Sequence, residues 1–346
     1  MNIPENDAFL KACRGEASER TPVWLMRQAG RYMPEYRAIR SGRTILDMIH
    51  SPELSAEVTM QPIDAFDLDA AIIFADILTI LDEMDLDLSF VAGEGPKFGN
   101  PIRSQADVDQ ISVKPATEAL SYTLDAIRVT LDKLENRIPL IGFSGAPFTL
   151  ACYAIQGQGS RDFFMAKRFM YHEPEAWQAL MGKLADAVAD YLPTQIDAGV
   201  HAVQLFDSWA GCLSPGDYRT YAAPYSRRIH DAIKAAHPDI PIIHFGTDTS
   251  AMLPEIKAAA GDVIGVDWRV DFSQARDILG NTPAQGNMDP LKLLGTKDII
   301  ETGAREVLKA NAGRPGHIFN LGHGIQKETP PENVKILVDY IHQYKG

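Results

Sequence analysis

The sequence predicts an α/β chain folded as a single parallel β/α barrel, (β/α)8 and TIM-type, over residues 1–346. Eight short runs rich in β-branched and apolar residues recur, at 23–25, 70–74, 140–143, 203–207, 241–245, 263–267, 283–287 and 317–321. Longer amphipathic segments separate several of them. No linker, internal repeat or low-complexity tract breaks the chain, so the alternation reads as one domain. A doubly wound open sheet has the same alternation and is the competing architecture, because periodicity does not tell a closed parallel sheet from an open one.

Taken in order, the first run lies inside an arginine-rich segment. Ser51-Pro52 then offers an N-cap and first-turn proline for a helix toward Phe66. Residues 82–112 are less regular and rich in Gly, Asp and Pro, which marks an inserted excursion; Gly93-Glu94-Gly95-Pro96 is a turn within it. In 175–192, Trp177, Leu180, Met181, Leu184, Val188 and Tyr191 recur at helical spacing. Ser214-Pro215 opens a helix through Ile229, and Val334, Leu337, Val338 and Ile341 pattern a last one over 333–344. Polar residues and glycines collect where strands end: Asp76, Ser144-Gly145, Asp207-Ser208, Gly246, Asp267 and Gly322-His323-Gly324. In a barrel those ends share one face, which is where catalytic residues gather.

Composition narrows the function. Apolar residues make up 45% and charged ones 23%, values of a globular chain. With 46 Asp+Glu against 33 Lys+Arg the net charge is −13, which speaks against a nucleic-acid-binding surface. The N-terminus lacks the apolar run of a secretory signal, and no stretch of about 18 uncharged apolar residues is present to span a bilayer. Cys13, Cys152 and Cys212 are odd in number and far apart, without a Cys-x-x-Cys, so a reducing, cytoplasmic setting is expected and a disulfide framework or thiolate zinc site is not. Charge is nonetheless uneven. Residues 20–43 hold Arg20, Arg27, Arg31, Arg37, Arg40 and Arg43, six of 19 arginines, against the single acid Glu35. Trp24, Gly30, Tyr32, Pro34, Tyr36 and Gly42 interrupt this run as a regular helix. A loop of arginines, whose rigid forks suit carboxylate or phosphate, is the better reading.

Several motifs are missing: the phosphate loop, the dinucleotide-binding glycine turn, His-Glu-x-x-His and a centred Gly-x-Ser-x-Gly elbow. The runs 22–31, Pro-Val-Trp-Leu-Met-Arg-Gln-Ala-Gly-Arg, and 142–150, Gly-Phe-Ser-Gly-Ala-Pro-Phe-Thr-Leu, continued to Tyr153, instead resemble the two signature segments of the uroporphyrinogen decarboxylase family. Phe74-Ala75-Asp76-Ile77-Leu78, Phe206-Asp207-Ser208-Trp209-Ala210-Gly211 and Asn320-Leu321-Gly322-His323-Gly324 extend the match, in the family's order, across nearly the whole chain.

The resemblance implies a distorted (β/α)8 barrel with extra N-terminal and inserted segments. It implies decarboxylation of the four acetate arms of uroporphyrinogen III to methyls, giving coproporphyrinogen III on the route to haem, with no metal or organic cofactor. The implied partner is that small-molecule tetrapyrrole polycarboxylate, with no nucleic acid or membrane, and the implied assembly is a cytoplasmic homodimer. Residue by residue, Arg27 and Arg31 match the family's carboxylate-binding arginines, with Gln28 between them and Arg37 on the same positive rim. Asp76 matches the aspartate that faces the pyrrole N–H groups, and Tyr153, Ser208 and His323 complete the cleft. Asp76, Arg27, Arg31 and Tyr153 form the expected catalytic set; the proton donor stays open between Arg27, a water and the substrate. Relatives usually carry proline at position 81 and small residues at 83 and 85, where this chain has Leu81, Glu83 and Asp85. The rival readings are a cobalamin-linked methyltransferase of the same barrel superfamily and a non-catalytic tetrapyrrole-binding protein. The first would need His-x-Cys, where this chain reads His244-Phe245-Gly246.

Overall fold

The computed structural model describes residues 3–91 and 93–345. Strands β1 (Ala71–Ile72), β2 (Leu88–Val91), β3 (Gly95–Phe98), β4 (Leu140–Gly145), β5 (Ala202–Asp207), β6 (Ile242–Gly246), β7 (Val263–Gly265), β8 (Ala284–Gln285) and β9 (His317–Ile318) follow in chain order. Seven of them make one parallel sheet in the order β1-β4-β5-β6-β7-β8-β9, while β2 and β3 pair as an antiparallel hairpin. Helices connect the parallel strands and cover them from outside. The strands are accordingly buried on both faces, β4 and β6 along their whole length, as parallel sheets require.

The sheet closes through the first predicted run. Val23 bridges to Phe319 in parallel, and the Phe319 amide donates to the Pro22 carbonyl over 2.8 Å. On its other side the Asp69 amide donates to the Val23 carbonyl, also at 2.8 Å. Residues 22–26 thus act as the eighth staple of the ring, although only Val23 pairs with a neighbouring strand end. Asp69 fixes this closure. Its fully buried carboxylate accepts from the Val23 amide (2.8 Å), Asn6 Nδ2 (2.8 Å) and Arg20 Nη2 (2.8 Å), and His342 Nε2 lies 2.9 Å away. Burial pushes the Asp69 pKa up, but the contacts from His342, Asn6 and Val23 outweigh it and leave the group below its ordinary value.

Two apolar cores follow from strand alternation. The larger lies between sheet and helices. It takes the predicted apolar faces of helix Pro174–Asp197 and helix Pro331–Gln343, with Trp177, Leu180, Leu184, Leu337 and Ile341 buried. The smaller fills the lumen, where Phe9, Leu10, Ala12 and Cys13 of helix Ala8–Cys13 plug one end against Trp24, Ile141, Ile243, Phe245 and Ile318. A buried relay crosses the lumen: Trp24 Nε1 donates to Gln285 (2.9 Å), whose amide nitrogen donates to Gln204 (3.1 Å).

Some expectations needed adjustment. Strands β1, β7, β8 and β9 are shorter than their apolar runs, whereas β4 and β5 extend beyond theirs. The Ser214-capped helix breaks at Ala222 into Pro215–Tyr221 and Ala223–Ala236. The 82–112 excursion contains the β2–β3 hairpin and helix Gln105–Gln110. The acidic stretch before it keeps a regular turn: Leu81 is buried in helix Thr79–Asp82, and Asp82 accepts from the Leu88 amide at 2.8 Å, tying the helix end to the hairpin. The arginine segment is not all loop, since Pro34–Arg40 forms a short helix. Among the described residues no helix is long and apolar enough to cross a membrane.

Asp69→Asn keeps the shape of the hub and removes its charge. We expect it to destabilise the protein at pH 7 by about 3 kcal/mol or more, because the partners around the buried site lose their compensation. The lowered pKa in the folded state means that the charge stabilises above the unfolded-state value and that this contribution is lost as pH falls through the folded value. The gap in thermal stability between parent and variant should therefore narrow below about pH 4. Thermal unfolding of both proteins across pH 3–8 measures it; a constant gap would show that the charge is not responsible.

Candidate active site

Arg27 follows directly on the closing segment and is held in the left-handed backbone region at φ 59°. For a non-glycine residue this costs on the order of 1 kcal/mol and persists only where its surroundings enforce it. Here Gln28 enforces it. Gln28 Oε1 accepts from the Leu25 amide (3.0 Å), its Nε2 donates to the Ala70 carbonyl (3.1 Å), and the Tyr32 hydroxyl donates to the Gln28 carbonyl (2.6 Å). Arg37 adds a second brace, with Nη1 donating to the carbonyls of Arg31 (2.9 Å) and Tyr32 (2.8 Å).

Two residues expected at the substrate thus also bond within the loop. Gln28 is only 1% exposed and its amide is spent on backbone partners, so it supports the loop from below. The Arg37 guanidinium likewise braces the loop backbone at the rim.

Arg27, Asp76, Tyr153 and His323 come together. Asp76 lies past the end of β1, where its Oδ1 accepts from the Leu78 amide at 2.9 Å. Removal from water raises its pKa to about 6, with the Leu78 amide and the Arg27 charge pulling it back. Tyr153, on helix Pro147–Gln156, is pushed up to about 12 by burial, with Asp76 and Arg27 acting in opposite directions. His323 is lowered to about 4, mostly by burial and then by Arg27 and Arg269. It is therefore a neutral imidazole at neutral pH, with Nδ1 accepting from the Gly324 amide at 2.6 Å.

The two glycines around His323 have steric reasons. A Cβ on Gly322 would sit 2.3 Å from the Trp268 amide nitrogen, and one on Gly324 would sit 2.4 Å from Arg27 Cδ. The stem of Arg27 thus lies across Gly324. Aromatic edges floor the cleft from Phe143 to Phe206 (5.5 Å), Phe206 to Phe245 (6.1 Å) and Phe245 to His323 (6.4 Å).

Ser208 follows β5, with its carbonyl accepting from the Thr247 hydroxyl. Next to it, Trp209 packs on Tyr153 at 5.9 Å and on Phe163 at 4.7 Å. Its neighbour Asp207 turns outward instead. Asp207 accepts from Thr149 on the covering helix (2.9 Å) and faces His244 Nε2 at 3.7 Å, behind the cleft wall.

Arg31 acts on Tyr36, whose pKa burial raises while Arg40 and Arg31 lower it and Asp76 raises it again. Tyr36 and Arg40 therefore belong beside this cluster, although only the density of arginines hinted at Arg40. Across the cleft, Arg269 stacks on Trp268 at 3.9 Å and is held by Asp267 (2.8 Å) and Asp248 (3.0 Å). Alternation of strand residues could have exposed the inward aromatic ladder, but no local signal marks Trp268–Arg269. A separate groove of about 430 Å³ on the outer helices, lined by Arg219, Pro224, Arg227, Pro254, Glu255 and Ala258, contains none of these residues. Among the described residues no group of three or more His, Cys, Asp or Glu side chains is arranged to hold a metal ion.

Residues 4–344 match the family model described as Uroporphyrinogen decarboxylase (URO-D). A protein of Chloroflexus aurantiacus named uroporphyrinogen decarboxylase is 52% identical over 341 residues, covering 98% of this chain and 96% of its own. A protein of the same name from Geobacter metallireducens is 49% identical, covering 98% of each. Among solved structures, a methyltransferase from Methanosarcina mazei superposes with a TM-score of 0.81 at 19% identity over 98% of both chains. At that identity the likeness speaks for the barrel alone. A B12-independent methionine synthase from Shewanella reaches 0.55 at 13% identity over 94% of both.

The Arg27–Gly324 contact predicts a measurable electrostatic change. In Gly324→Ala the new methyl displaces the flexible Arg27 stem while the fold survives, and the positive charge moves away from Asp76 and His323. Both pKa values should then rise, His323 from about 4 and Asp76 from about 6. NMR titration of the two groups checks this, with Arg27→Ala as the reference; unchanged values in both variants would show that Arg27 does not set them.

Proposed function

The chain belongs to the uroporphyrinogen decarboxylase family, and from that premise we propose that Asp76, Arg27 and Arg31 carry its decarboxylation chemistry. The reaction converts the four acetate arms of uroporphyrinogen III to methyls with loss of carbon dioxide, giving coproporphyrinogen III. The observation that carries the assignment of roles is the desolvated Asp76 carboxylate within electrostatic reach of Arg27 and Tyr153, with His323 facing the same Arg27 charge.

Loss of carbon dioxide from an acetate arm needs somewhere to put an electron pair. Protonating a pyrrole carbon makes the ring a cation that accepts those electrons as the C–C bond to the carboxylate breaks. The exocyclic methylene then takes a proton and the ring carbon releases its own, so each carboxylate lost consumes one proton net. An ionised Asp76 beside the ring N–H groups stabilises the cation more than the neutral ground state, which is the differential that accelerates a reaction. Its desolvated setting strengthens that effect.

Arg27 and Arg31 receive substrate carboxylates by charge-assisted hydrogen bonds. Tyr153, kept protonated by burial, is a hydroxyl donor at the same wall, and the neutral His323 is a second polar contact. Ser208 completes the set on the β5 side. We read residues 1–346 as one catalytic unit, working in the cytoplasm as a homodimer, in keeping with the family and with three unbridged cysteines. Light scattering on the purified chain checks the assembly.

The methyltransferase reading has the shared barrel in its favour, but its thiol ligand is missing: Gly246 occupies the first cysteine position and His244 faces Asp207 inside the wall. The deciding test is anaerobic incubation with uroporphyrinogen III, a chelator and no added cofactor. Accumulation of coproporphyrinogen III supports the reading; unchanged substrate, or activity abolished by the chelator, overturns it.

Two further outcomes test the roles. Because Asp76 acts as a carboxylate, kcat/KM should fall as pH drops through about 6. Asp76→Asn should lose about 10²–10³-fold in kcat with the fold intact, the scale of removing one preorganised electrostatic contact. Near-normal turnover in that variant would show the charge to be dispensable. Arg31→Ala should raise KM roughly tenfold, the value of one charge-assisted bond, and should weaken the dependence of KM on ionic strength. A KM insensitive to both mutation and salt would contradict a carboxylate clamp.

A further inference from the structure

We infer that Cys152 and Cys212 form a redox modification site, a dithiol that a hydroperoxide oxidises to a disulfide on the back of the wall carrying Tyr153. The two residues lie 60 positions apart in sequence and are brought together by two elements that are themselves fastened to each other. On helix Pro147–Gln156, Thr149, Cys152 and Tyr153 stand at spacings that share one face. Thr149 anchors that face from one side, donating to Asp207 (2.9 Å) and accepting from the Trp209 amide (3.2 Å). Tyr153 anchors it from the other side against the Trp209 ring at 5.9 Å. Between these anchors the Cys152 thiol lies beside that of Cys212, in the 3-10 turn Ala210–Cys212 that follows Trp209, and each acts on the other.

The surroundings assign different roles to the two sulfurs. Cys152 is fully buried, while Cys212 is partly exposed and is the one an oxidant reaches. The Lys167 ammonium donates to the Cys212 carbonyl at 2.8 Å and places a positive charge beside the pair. The neighbouring Cys152 thiol lowers the Cys212 pKa, burial opposes this, and Lys167 lowers it further; burial pushes the Cys152 thiol up. Cys212 is thus the attacking sulfur and Cys152 the resolving one. Cys13 takes no part, because it is buried in the lumen plug and burial raises its pKa strongly.

The chemistry balances with the hydroperoxide as oxidant. The Cys212 thiolate attacks the O–O bond, becomes a sulfenic acid and, with one proton, releases an alcohol, or water from hydrogen peroxide. The Cys152 sulfur then attacks the sulfenic sulfur, an S–S bond forms, and the Cys152 proton leaves with the hydroxyl as water. Two electrons pass from two thiols to the peroxide, and an external dithiol returns them by exchange. The S–S bond, about 2.05 Å, is far shorter than a thiol contact and draws the turn toward the helix. That movement falls one residue from Tyr153 and three from Trp209, so closure of the bridge reshapes the cleft wall.

The test treats the whole protein with hydrogen peroxide and follows both structure and turnover. We expect the free thiols to fall from three to one, a mass about 2 Da lower, and a cross-linked peptide pair holding Cys152 and Cys212. Three titratable thiols, a bridge through Cys13, or sulfinic acid at Cys212 without a cross-link would overturn the site. The effect on activity rests on the decarboxylase reading, whereas the cross-link does not, so the two fail separately. Oxidation should lower kcat about tenfold or more through misplacement of the wall, with recovery in dithiothreitol. Cys212→Ser should keep basal turnover and resist both cross-linking and inactivation; equal inactivation of parent and variant, or a bridged protein of full activity, overturns the coupling to the cleft.

Discussion

A carboxylate withdrawn from water at Asp69 draws to itself the Val23 amide, Asn6, Arg20 and His342, and in doing so brings the N-terminal segment, the closing edge of the barrel and the C-terminal helix to one point. An uncompensated charge there would cost several kcal/mol, so these partners are obligatory once the carboxylate is buried. Closure has a consequence four residues further on. The segment held at Val23 ends at Arg27, whose left-handed backbone and inward stem depend on where that segment runs. The same interaction that shuts the ring therefore aims the first arginine of the cleft.

Charge in this protein works on two scales. The body carries −13 overall, a property that governs solubility. The segment 20–43 concentrates six arginines; Arg20 is drawn to the Asp69 hub, while Arg27, Arg31 and Arg40 lie near Asp76 and Tyr36, and desolvation raises the Asp76 pKa. Under the proposed roles, substrate carboxylates would meet the arginines and the ring nitrogens would meet Asp76. Two of the loop's conspicuous residues bond its backbone, Gln28 through its side-chain amide and Arg37 through Nη1. A carboxylate clamp without such bracing would have to order itself during binding, which costs affinity.

The order of strands and helices was legible because hydrophobic periodicity is a local property. Every one of the eight apolar runs lies at the barrel wall, and the faces read for helices Pro174–Asp197 and Pro331–Gln343 are the buried ones. Strand ends were less legible: β4 continues to Gly145 past its apolar run, whereas β9 stops at Ile318 inside its own, because pairing depends on the neighbouring strand and not on local composition. The break at Ala222 has a local cause that the apolar pattern hid: Pro224 has no amide hydrogen and its ring clashes with the carbonyl four residues earlier, so the helix stops and restarts with Pro224 in its first turn. Within the cleft, Arg27, Asp76, Tyr153 and His323 stood out by motif, whereas Tyr36, Trp268 and Arg269 sit in segments with no distinguishing spacing.

The barrel class, the arginine-rich segment and the residue types at the strand ends are readable from composition and period, which are written along the chain. Where those residues point depends on packing between distant segments. It turned Asp207 outward to Thr149, buried Gln28 beneath the loop, and laid Arg27 across Gly324. It also set Cys152 against Cys212, a pair that spacing separates by 60 residues. Such contacts depend on the closure and stagger of a ring of strands, which fix distances between segments that no local pattern relates.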